Sequence, residues 1–439
     1  MATAIEAPHG RLAKWRDPFA YRALIVFTLL YFSRPEDLVH PLAIIPLGKI
    51  TGGLAFLALL SELSKRRGTK LPLAIKFLLL LFAQMILTIP FAVWRGGAFK
   101  MVFSSFAKGV MVAVLVSMLV TTLSQLRKLI FVQAVCVALM TLASVAIHHT
   151  DNVGRLSGVS GGIFENPNDL AINIGINFPF AFAFFLRARG LRKAFWGGAM
   201  LIMLYGVMLT YSRSGFLALA LAAMIALWEF GIKGRRFYLI FAAVLLLIGA
   251  VAFAPENYSE RLQSIFIGRI SGSNDRGSAE ARTALLKYSI QEMLEHPLVG
   301  VGPGNFQVVN GVWRVAHNTY SEMGAEAGIP ALILFFLVLG AAYRSLRRAQ
   351  KSPAYKRDRE FQIISGGLKA AFGAYLIGAF FSDTAYNLFP YYLIAYTCAL
   401  WRIAELQQSP EPAERSSKNP WSRTSLRPDP ISTQLGARR

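Results

Sequence analysis

Long apolar segments constrain the fold of this chain more than any other feature of its sequence. They follow one another with mostly short polar connections, and a helix needs about 20 apolar residues to cross a bilayer. Of the 439 residues, 54% are hydrophobic and only 16% are charged, whereas soluble domains have about 45–50% and about 25%. This composition excludes a soluble enzyme, a disulfide-rich secreted scaffold, a coiled coil, a β-barrel and a disordered chain.

The apolar segments predict an all-α polytopic membrane protein with about twelve transmembrane helices and a large, partly helical outer loop. The first segment is expected to remain as an anchor, because charged residues follow it and not the small residues of a signal-peptide cleavage site. The segments lie near residues 21–34, 41–61, 71–94, 101–123, 129–147, 169–186, 194–210, 216–231, 237–254, 320–343, 361–381 and 388–403.

The distribution of Lys and Arg predicts the orientation of these helices. If the N-terminus is cytoplasmic and the segments alternate, 31 of the 46 basic residues fall in cytoplasmic segments, 11 fall outside and 4 fall within spans. Cytoplasmic loops of membrane proteins collect basic residues, so both termini are expected in the cytoplasm. This excess of basic residues in cytoplasmic loops accounts for the net charge of +22, so no nucleic-acid partner is needed to explain it.

Two outer segments, about 148–168 and 255–316, are long enough to carry function. The second contains leucines and other apolar residues at helical spacing over residues 278–295, which predicts an amphipathic helix lying against the outer surface or over a cavity. No internal repeat is found. The chain therefore divides into a cytoplasmic N-terminus (1–20), a transmembrane domain (21–403) and a disordered cytoplasmic tail rich in Pro, Ser and Arg (404–439).

Two short polar motifs interrupt the apolar pattern on the outer side. Residues 211–215 read YSRSG, and the planar guanidinium of Arg213 matches phosphate oxygens in bidentate geometry. Residues 317–322 read HNTYSE, and a histidine at this helix mouth can act as a general base near neutral pH. Taken singly, each motif has another explanation: Arg213 can reach lipid headgroups, and His317 can be an interfacial residue or helix cap.

Outer-loop arginines are few, so a cluster of them indicates an anionic ligand at the outer surface. Arg314 would share a helical face with His317 if the helix already included both residues. The candidate ligands of such an anion or of its glycan are Arg155, Arg213, Arg282, Arg314, Asn168, Asn318 and Tyr211.

Four lysines fall within predicted spans. Lys76 and Lys369 are near enough to the cytoplasmic side to snorkel, whereas Lys49 and Lys108 lie in outer halves and are expected to face a polar cavity.

Nothing in the sequence predicts a metal or another cofactor. Outer segments contain no Asp-x-Asp pair, so a divalent ion for phosphate chemistry is not suggested. The glycine-rich residues 300–304 follow no strand and contain Pro303, so they predict a turn rather than a dinucleotide loop. Cys136 and Cys398 lie in apolar segments, as small core residues do.

Four motifs occur in order on one predicted face, and together they resemble the O-antigen ligase and O-antigen polymerase superfamily. The resemblance covers roughly residues 150–345. Its motifs are Arg155 with residues 162–168 (GIFENPN), residues 211–215 (YSRSG), Arg282 through residues 296–306 (HPLVGVGPGNF), and residues 317–320 (HNTY) with Glu326 and Gly328.

The resemblance implies a metal-independent glycosyltransferase of the bacterial inner membrane, with about twelve helices and a large periplasmic loop. Such enzymes take a glycan from undecaprenyl diphosphate at the periplasmic face and pass it to an acceptor hydroxyl. By the resemblance, His317 corresponds to the histidine proposed to activate that hydroxyl. Arg213 and Arg282 correspond to arginines proposed to hold the diphosphate, and Arg155 and Asn168 belong to a first-loop motif. The implied partners are the lipid-linked donor, the acceptor and membrane lipids.

The acceptor stays open at this point. The histidine and arginine motifs and the size of the second loop favour a ligase, whose acceptor is lipid A–core. Residues 34–37 (RPED) and 46–50 (PLGKI) resemble members of exopolysaccharide clusters and favour a polymerase, whose acceptor is another lipid-linked repeat unit. A transporter of lipid-linked glycans is a third reading, which the absence of a repeat and the placement of most charge in loops disfavour.

Overall fold

A computed structural model describes residues 19–35, 47–63, 70–151, 154–158, 166–252 and 273–408. Within these residues the chain is helical, apart from one isolated antiparallel bridge between Thr150 and Leu156, which confirms the all-α prediction. The helices are α1 (Phe19–Ser33), α2 (Leu47–Leu63), α3 (Leu73–Phe91), α4 (Arg95–Leu119), α5 (Leu123–Ile147), α6 (Pro167–Arg187), α7 (Leu191–Leu209), α8 (Arg213–Ile232), α9 (Tyr238–Ala252), α10 (Ser273–Glu295), α11 (Phe306–Val309), α12 (Thr319–Lys351), α13 (Pro353–Arg357), α14 (Arg359–Phe381) and α15 (Phe389–Leu406).

Every predicted apolar segment overlaps one of these helices. Within the described ranges, seven helices have the length and apolarity to cross a membrane: α3, α4, α5, α6, α8, α12 and α14. Helix α1 and residues 47–58 of α2 form shorter apolar helices. The expectation of about twelve crossings therefore stays a prediction. The N-terminal residues before 19, most of the predicted tail and much of both long outer loops lie outside the described residues.

Close helix packing positions the start of α8 against the start of α6. A Cβ on Gly215 would lie 2.2 Å from the Cβ of Ala171, so only glycine allows this approach. Helix α14 packs on the same pair, and a Cβ on Gly378 would lie 2.7 Å from the side chain of Ile172. Small residues of this kind let membrane helices approach closely.

The loops predicted to be cytoplasmic meet at one end of the bundle through ion pairs. Glu360 accepts from Arg127 at 2.8 Å and from Arg187 at 2.7 Å. A second group lies next to the predicted cytoplasmic segment that begins at Lys233: buried Glu229 pairs with both Lys233 and Lys369. Lys369 therefore has an ion-pair partner on α8, and the expectation that it can snorkel to the cytoplasmic side stays a prediction.

Helix α12 is interrupted at Gly328, near its outer end. Gly328 has φ 82° and ψ 171°, a conformation that essentially only glycine adopts. Pro330 has no N–H to donate to the carbonyl of Glu326, and the N–H of Ile329 donates instead to the carbonyl of Pro297 at 2.7 Å. The helix is thus divided into a short outer piece, residues 319–327, and a longer inner piece.

The glycine-rich loop of residues 300–304 fills this break. The N–H of Val301 donates to the carbonyl of Ala325 at 2.9 Å, and the N–H of Gly302 donates to that of Glu326 at 2.8 Å. These are the two carbonyls that the break leaves without helical donors. The loop is a turn, as its sequence predicts, and it fixes the outer piece of α12 in place.

Candidate active site

Three of the sequence motifs lie at helix starts. The side chain of Asn166 caps α6, that of Ser212 caps α8 through the N–H of Gly215, and that of Asn318 caps α12. Each cap satisfies backbone donors that a helix start leaves unpaired. The local structure of the motifs therefore follows from ordinary capping chemistry.

A chain of hydrogen bonds joins these helix starts. The hydroxyl of Ser212 donates to the Oδ1 of Asn168 at 2.8 Å, and that of Ser382 donates to the Oδ1 of Asp169 at 2.6 Å. Both the N–H and the hydroxyl of Thr319 donate to the carbonyl of Ser382, at 3.0 and 2.6 Å. The starts of α6, α8 and α12 therefore form one polar unit at the end of the bundle opposite the ion pairs of Glu360.

His317 lies immediately before this unit with an unusual backbone and an unpaired ring nitrogen. Its φ is +53°, in the left-handed region that a non-glycine residue rarely occupies. The Nδ1 of its imidazole is buried and has no hydrogen-bond partner in the described part of the chain. Strained backbone and unsatisfied buried atoms occur preferentially at functional sites, which makes His317 the centre of the candidate site.

The surroundings of His317 keep its imidazole neutral. Burial and, in decreasing order of effect, the positive charges of Arg282, Arg314 and Arg155 together lower its pKa to about 4. Arg155 acts least, and its guanidinium is paired with Asp151 at 2.9 Å. Three of the sequence-predicted arginines are thus close enough to act electrostatically on the predicted base.

Arg213 is the first residue of α8, beside the capping Ser212. It is half-buried and forms no hydrogen bond or ion pair with the described residues. Tyr211, just before the cap, has a left-handed φ of +48°. The structure therefore places the predicted phosphate ligand at a helix start, where backbone dipoles also favour an anion.

Two other predicted ligands, Asn318 and Arg314, have a different structural setting from the one that the sequence suggested. Asn318 uses its side-chain oxygen to cap α12, accepting from Tyr320 and Ser321 at 3.0 and 3.1 Å. Arg314 does not share a helical face with His317, because α12 begins only at Thr319, after the left-handed turn at His317. Arg314 is exposed in a non-helical segment and reaches the histidine through its charge alone.

Helix α10, predicted over residues 278–295, lies over the outer piece of α12 and carries Arg282. Leu285 is buried, and the hydroxyl of Ser289 donates to that of Ser321 at 2.8 Å. Ile290 and Leu294 of the predicted apolar stripe remain 40% and 64% exposed. Only part of the stripe packs against the protein, so the other part is available to a membrane surface.

A cavity of about 790 Å³ lies among α1, α2, α4, α6, α12 and the segment before α15. Lys49 and Lys108 line it, which confirms the expectation that they face a cavity. Arg34 and four carboxylate side chains line it as well. These four are Asp169, Glu322, Glu326 and Asp383. Glu322 and Glu326 lie in motifs that the sequence analysis quoted, whereas Asp169 and Asp383 were missed.

One signal for the acidic lining of the cavity was present in the sequence. Asp383 is the single charged residue in the short connection between the last two apolar segments. In the structure, burial and the nearby charge of Asp169 raise the pKa of Asp383 well above its usual range. A charged residue in a short connection between two apolar segments is therefore a better indicator of a buried site than an acidic residue in a long loop.

Among the described residues, one group has the spacing of metal ligands. Atoms of Glu292, Glu295 and His296 lie within 4.8 Å of one another at the end of α10. Glu295 and His296 are exposed, and exposed acidic groups commonly occur without an ion. The group is separate from the charges that act on His317.

Fold and site together define a helical membrane protein with an anion-favouring site at one end of its bundle. Residues 198–336 match the family described as O-antigen ligase, and this range includes Arg213, Arg282 and His317. The chain is also 27% identical over 273 residues to the exopolysaccharide production protein ExoQ of Rhizobium meliloti (strain 1021). That match covers 58% of this chain and 61% of the relative. Over these residues the chain is similar to the O-antigen ligase family, as its motifs indicated.

Proposed function

We propose that the protein is a membrane glycosyltransferase that moves a glycan from undecaprenyl diphosphate to an acceptor hydroxyl at the periplasmic face of the bacterial inner membrane. The observation that carries this proposal is the neutral imidazole of His317, whose buried Nδ1 has no partner among the described residues and which lies within reach of the charges of three arginines. A neutral imidazole can accept a proton, and the arginines can hold a diphosphate.

The donor diphosphate is held by Arg213 and Arg282. Arg213 has no competing partner in the described residues, and its planar fork suits two phosphate oxygens. The joined starts of α6 and α8 add the positive ends of two helix dipoles. The undecaprenyl chain then extends along the apolar outer surface of the bundle.

The reaction breaks the bond between the sugar C1 and the diphosphate oxygen and forms a bond between C1 and the acceptor oxygen. His317 takes the proton of the acceptor hydroxyl, a contribution of about 10²–10⁴-fold in similar reactions. The bonding electron pair leaves with the diphosphate, whose negative charge grows in the transition state. Arginines fixed beside that oxygen stabilise the transition state more than the ground state.

Donor binding also makes His317 a stronger base. In the free protein the positive charges of the arginines disfavour a proton on the imidazole. A bound diphosphate supplies negative charge beside the same arginines, so the pKa of His317 rises towards the neutral range where a general base works best. The base is therefore activated only when the donor is present.

The first candidate for the overall reaction is an O-antigen ligase, with lipid A–core as acceptor, because residues 198–336 match the O-antigen ligase family. The second candidate is an exopolysaccharide or O-antigen polymerase that extends lipid-linked repeat units. The name of the relative ExoQ, an exopolysaccharide production protein, favours this second candidate.

The test is release of undecaprenyl diphosphate by the purified full-length protein, with a lipid-linked glycan as donor and with lipid A–core or a second lipid-linked glycan as acceptor. His317→Ala should abolish release. His148→Ala is the matched control, because His148 is exposed, lies at the same end of the bundle and has nearly the same left-handed φ, +54°. Equal activity of wild type and His317→Ala would remove His317 from the mechanism.

A chelator arm tests whether the reaction needs a metal. Release that survives chelator and His296→Ala supports arginines as the sole electrostatic stabilisers. Loss of release in both cases would instead assign a metal to the group at the end of α10. The acceptor that supports release distinguishes ligase from polymerase.

A further inference from the structure

The inner end of helix α12 carries a high concentration of positive charge. Residues 344–360 contain seven basic residues and only two acidic ones. Both acidic side chains have other contacts, because Asp358 caps α14 and Glu360 pairs with Arg127 and Arg187. The basic residues of α12 itself therefore form no ion pair within the described part of the chain. They are Arg344, Arg347, Arg348 and Lys351.

These four side chains are exposed and lie on one face of the helix. They are spaced by three or four residues, the spacing that places helical residues on one side. The positions between them, Ser345, Leu346 and Ala349, are buried against the bundle. The basic stripe therefore points away from the protein, and like charges at this spacing repel one another.

The same face of α12 continues towards the middle of the helix as an apolar stripe. Ile333, Phe336 and Leu337 are exposed at the same helical spacing. Tyr343, also exposed, lies at the boundary between the apolar and the basic residues, and aromatic side chains of membrane helices are enriched at the level of the headgroups. One continuous face thus changes from apolar to aromatic to basic, which is the order of the layers in a bilayer leaflet.

Gly340 leaves a gap in this face, one turn from both Phe336 and Arg344. A Cβ at this position would meet nothing within 4 Å. At Gly215 and Gly378, by contrast, another helix lies so close that a Cβ would collide with it. No element in the described residues occupies the gap at Gly340, and an acyl chain lying along α12 would fit it.

The sequence of α12 places the basic stripe at the membrane surface. Residues 329–343 contain no charged side chain, and this stretch of about 22 Å suits the hydrocarbon core. The basic stripe adds about 11 Å beyond it. It therefore reaches the headgroup layer at the end of the bundle where Glu360 lies.

We propose that this face of α12 binds an anionic phospholipid of the leaflet at the Glu360 end of the bundle. One acyl chain lies along the apolar stripe and fills the gap at Gly340. The phosphate is held by Arg344 and Arg347, whose planar guanidinium groups suit phosphate oxygens. The site lies at the opposite end of the bundle from the candidate active site, so it does not depend on the proposed function.

Charge and continuity both favour a lipid as the occupant. Arg348, whose guanidinium carbon lies 5.9 Å from the ring centroid of Trp401, and Lys351 add positive charge beside the phosphate. Basic groups at this level attract anionic headgroups. An acidic protein would meet the same charges, but it would leave the apolar part of the face and the gap at Gly340 without a role.

The test measures equilibrium binding of dioleoyl phosphatidylglycerol to the purified full-length protein in mild detergent, by native mass spectrometry. Arg344→Gln combined with Arg347→Gln should weaken binding about tenfold or more, since each basic residue near an anionic headgroup contributes roughly a factor of five. The matched control is Arg189→Gln combined with Arg192→Gln. It removes the same charge from exposed residues at the same end of the bundle and should leave binding nearly unchanged.

The contribution of the acyl chain is tested without changing the charge. Gly340→Leu fills the gap and should weaken phosphatidylglycerol binding, whereas Gly198→Leu, where a Cβ also meets nothing within 4 Å, should not. Two probes separate headgroup from chain. Glycerophosphoglycerol, which is the headgroup alone, and dioleoyl phosphatidylcholine, whose headgroup has no net charge, should both bind more weakly than phosphatidylglycerol.

Thermal midpoints in phosphatidylcholine nanodiscs verify that each variant is folded. The inference is overturned if the Arg344 and Arg347 double variant binds phosphatidylglycerol like the wild type, or if the control pair gives the same loss. It is also overturned if glycerophosphoglycerol binds as tightly as the lipid, which would indicate a site for a soluble anion. Equal binding by Gly340→Leu and Gly198→Leu would remove the acyl chain from the gap.

Discussion

Titration of His317 is the most direct check on the electrostatics of the site. Burial and three arginines lower its pKa to about 4, whereas an unfolded histidine titrates near 6.5. The unfolded chain therefore binds more protons than the folded protein between these two values. Stability contributed by neutral His317 is complete above about pH 6.5 and is lost as pH falls through about 4.

The size of this effect follows from the two pKa values. Between pH 8 and pH 5, His317 should reduce the free energy of unfolding by about 2 kcal/mol. Chemical unfolding in mild detergent, compared between wild type and His317→Gln, isolates that contribution, because the variant has no titrating group at this position. Carbon-13 labelling of the six histidines reports the pKa itself by nuclear magnetic resonance, and His317→Gln assigns the signal.

The arginines should differ in their influence. Arg282→Gln should raise the pKa of His317 most, Arg314→Gln less and Arg155→Gln least, following their order of effect in the structure. Arg189→Gln, at the opposite end of the bundle, serves as the control. A wild-type His317 that titrates near 6.5, or a pKa that none of the three substitutions raises, would refute the electrostatic account and the donor-dependent activation built on it.

Three further predictions concern stability. Gly328→Ala should cost about 1–3 kcal/mol because of its left-handed φ, and its Cβ would meet the Leu298 carbonyl at 2.5 Å. Gly340→Ala is the control: nothing lies within 4 Å of the added Cβ and alanine favours a helix over glycine, so the thermal midpoint should stay the same or rise slightly. Glu229→Gln removes the negative charge that pairs with Lys233 and Lys369, and it should lower the free energy of unfolding by about 3–5 kcal/mol. Glu360→Gln, whose arginine partners are more exposed, should lower it by about 0–1 kcal/mol. Similar thermal midpoints for the two variants would contradict this. Ser212→Ala removes a helix cap and should lower unfolding stability by about 0.5–2 kcal/mol.

Apolar segment length was sufficient to predict the helices, because every span must satisfy its own backbone. Alternation of spans then placed Arg213, Arg282 and His317 at one end, and the structure confirms that His317 and Arg282 interact electrostatically. The break in α12 was also readable in principle. Gly328 followed by Pro330 removes helical donors at a definite position, and the glycine-rich loop supplies their replacements.

The position of Asp169 beside the cavity was not predictable from local pattern. Asp169 and Ser382 are far apart in sequence, and their hydrogen bond depends on the packing of α6 beside α14. The start of α12 was predicted to within one residue, at 320 against the observed Thr319. Whether the helix extends back to Arg314 was left open, and the left-handed backbone of His317 excludes it. Backbone strain of this kind comes from tertiary contacts, and no propensity encodes it.

That strain also argues for function. Tyr211 and His317 both hold a left-handed φ where glycine would be less strained. Each lies one residue before a helix cap, Ser212 or Asn318, and the caps are tied to the rest of the polar unit by hydrogen bonds. Packing alone would favour glycine at both positions. At His317 the strained backbone coincides with a buried Nδ1 that has no hydrogen-bond partner among the described residues, and this combination favours a role towards a ligand.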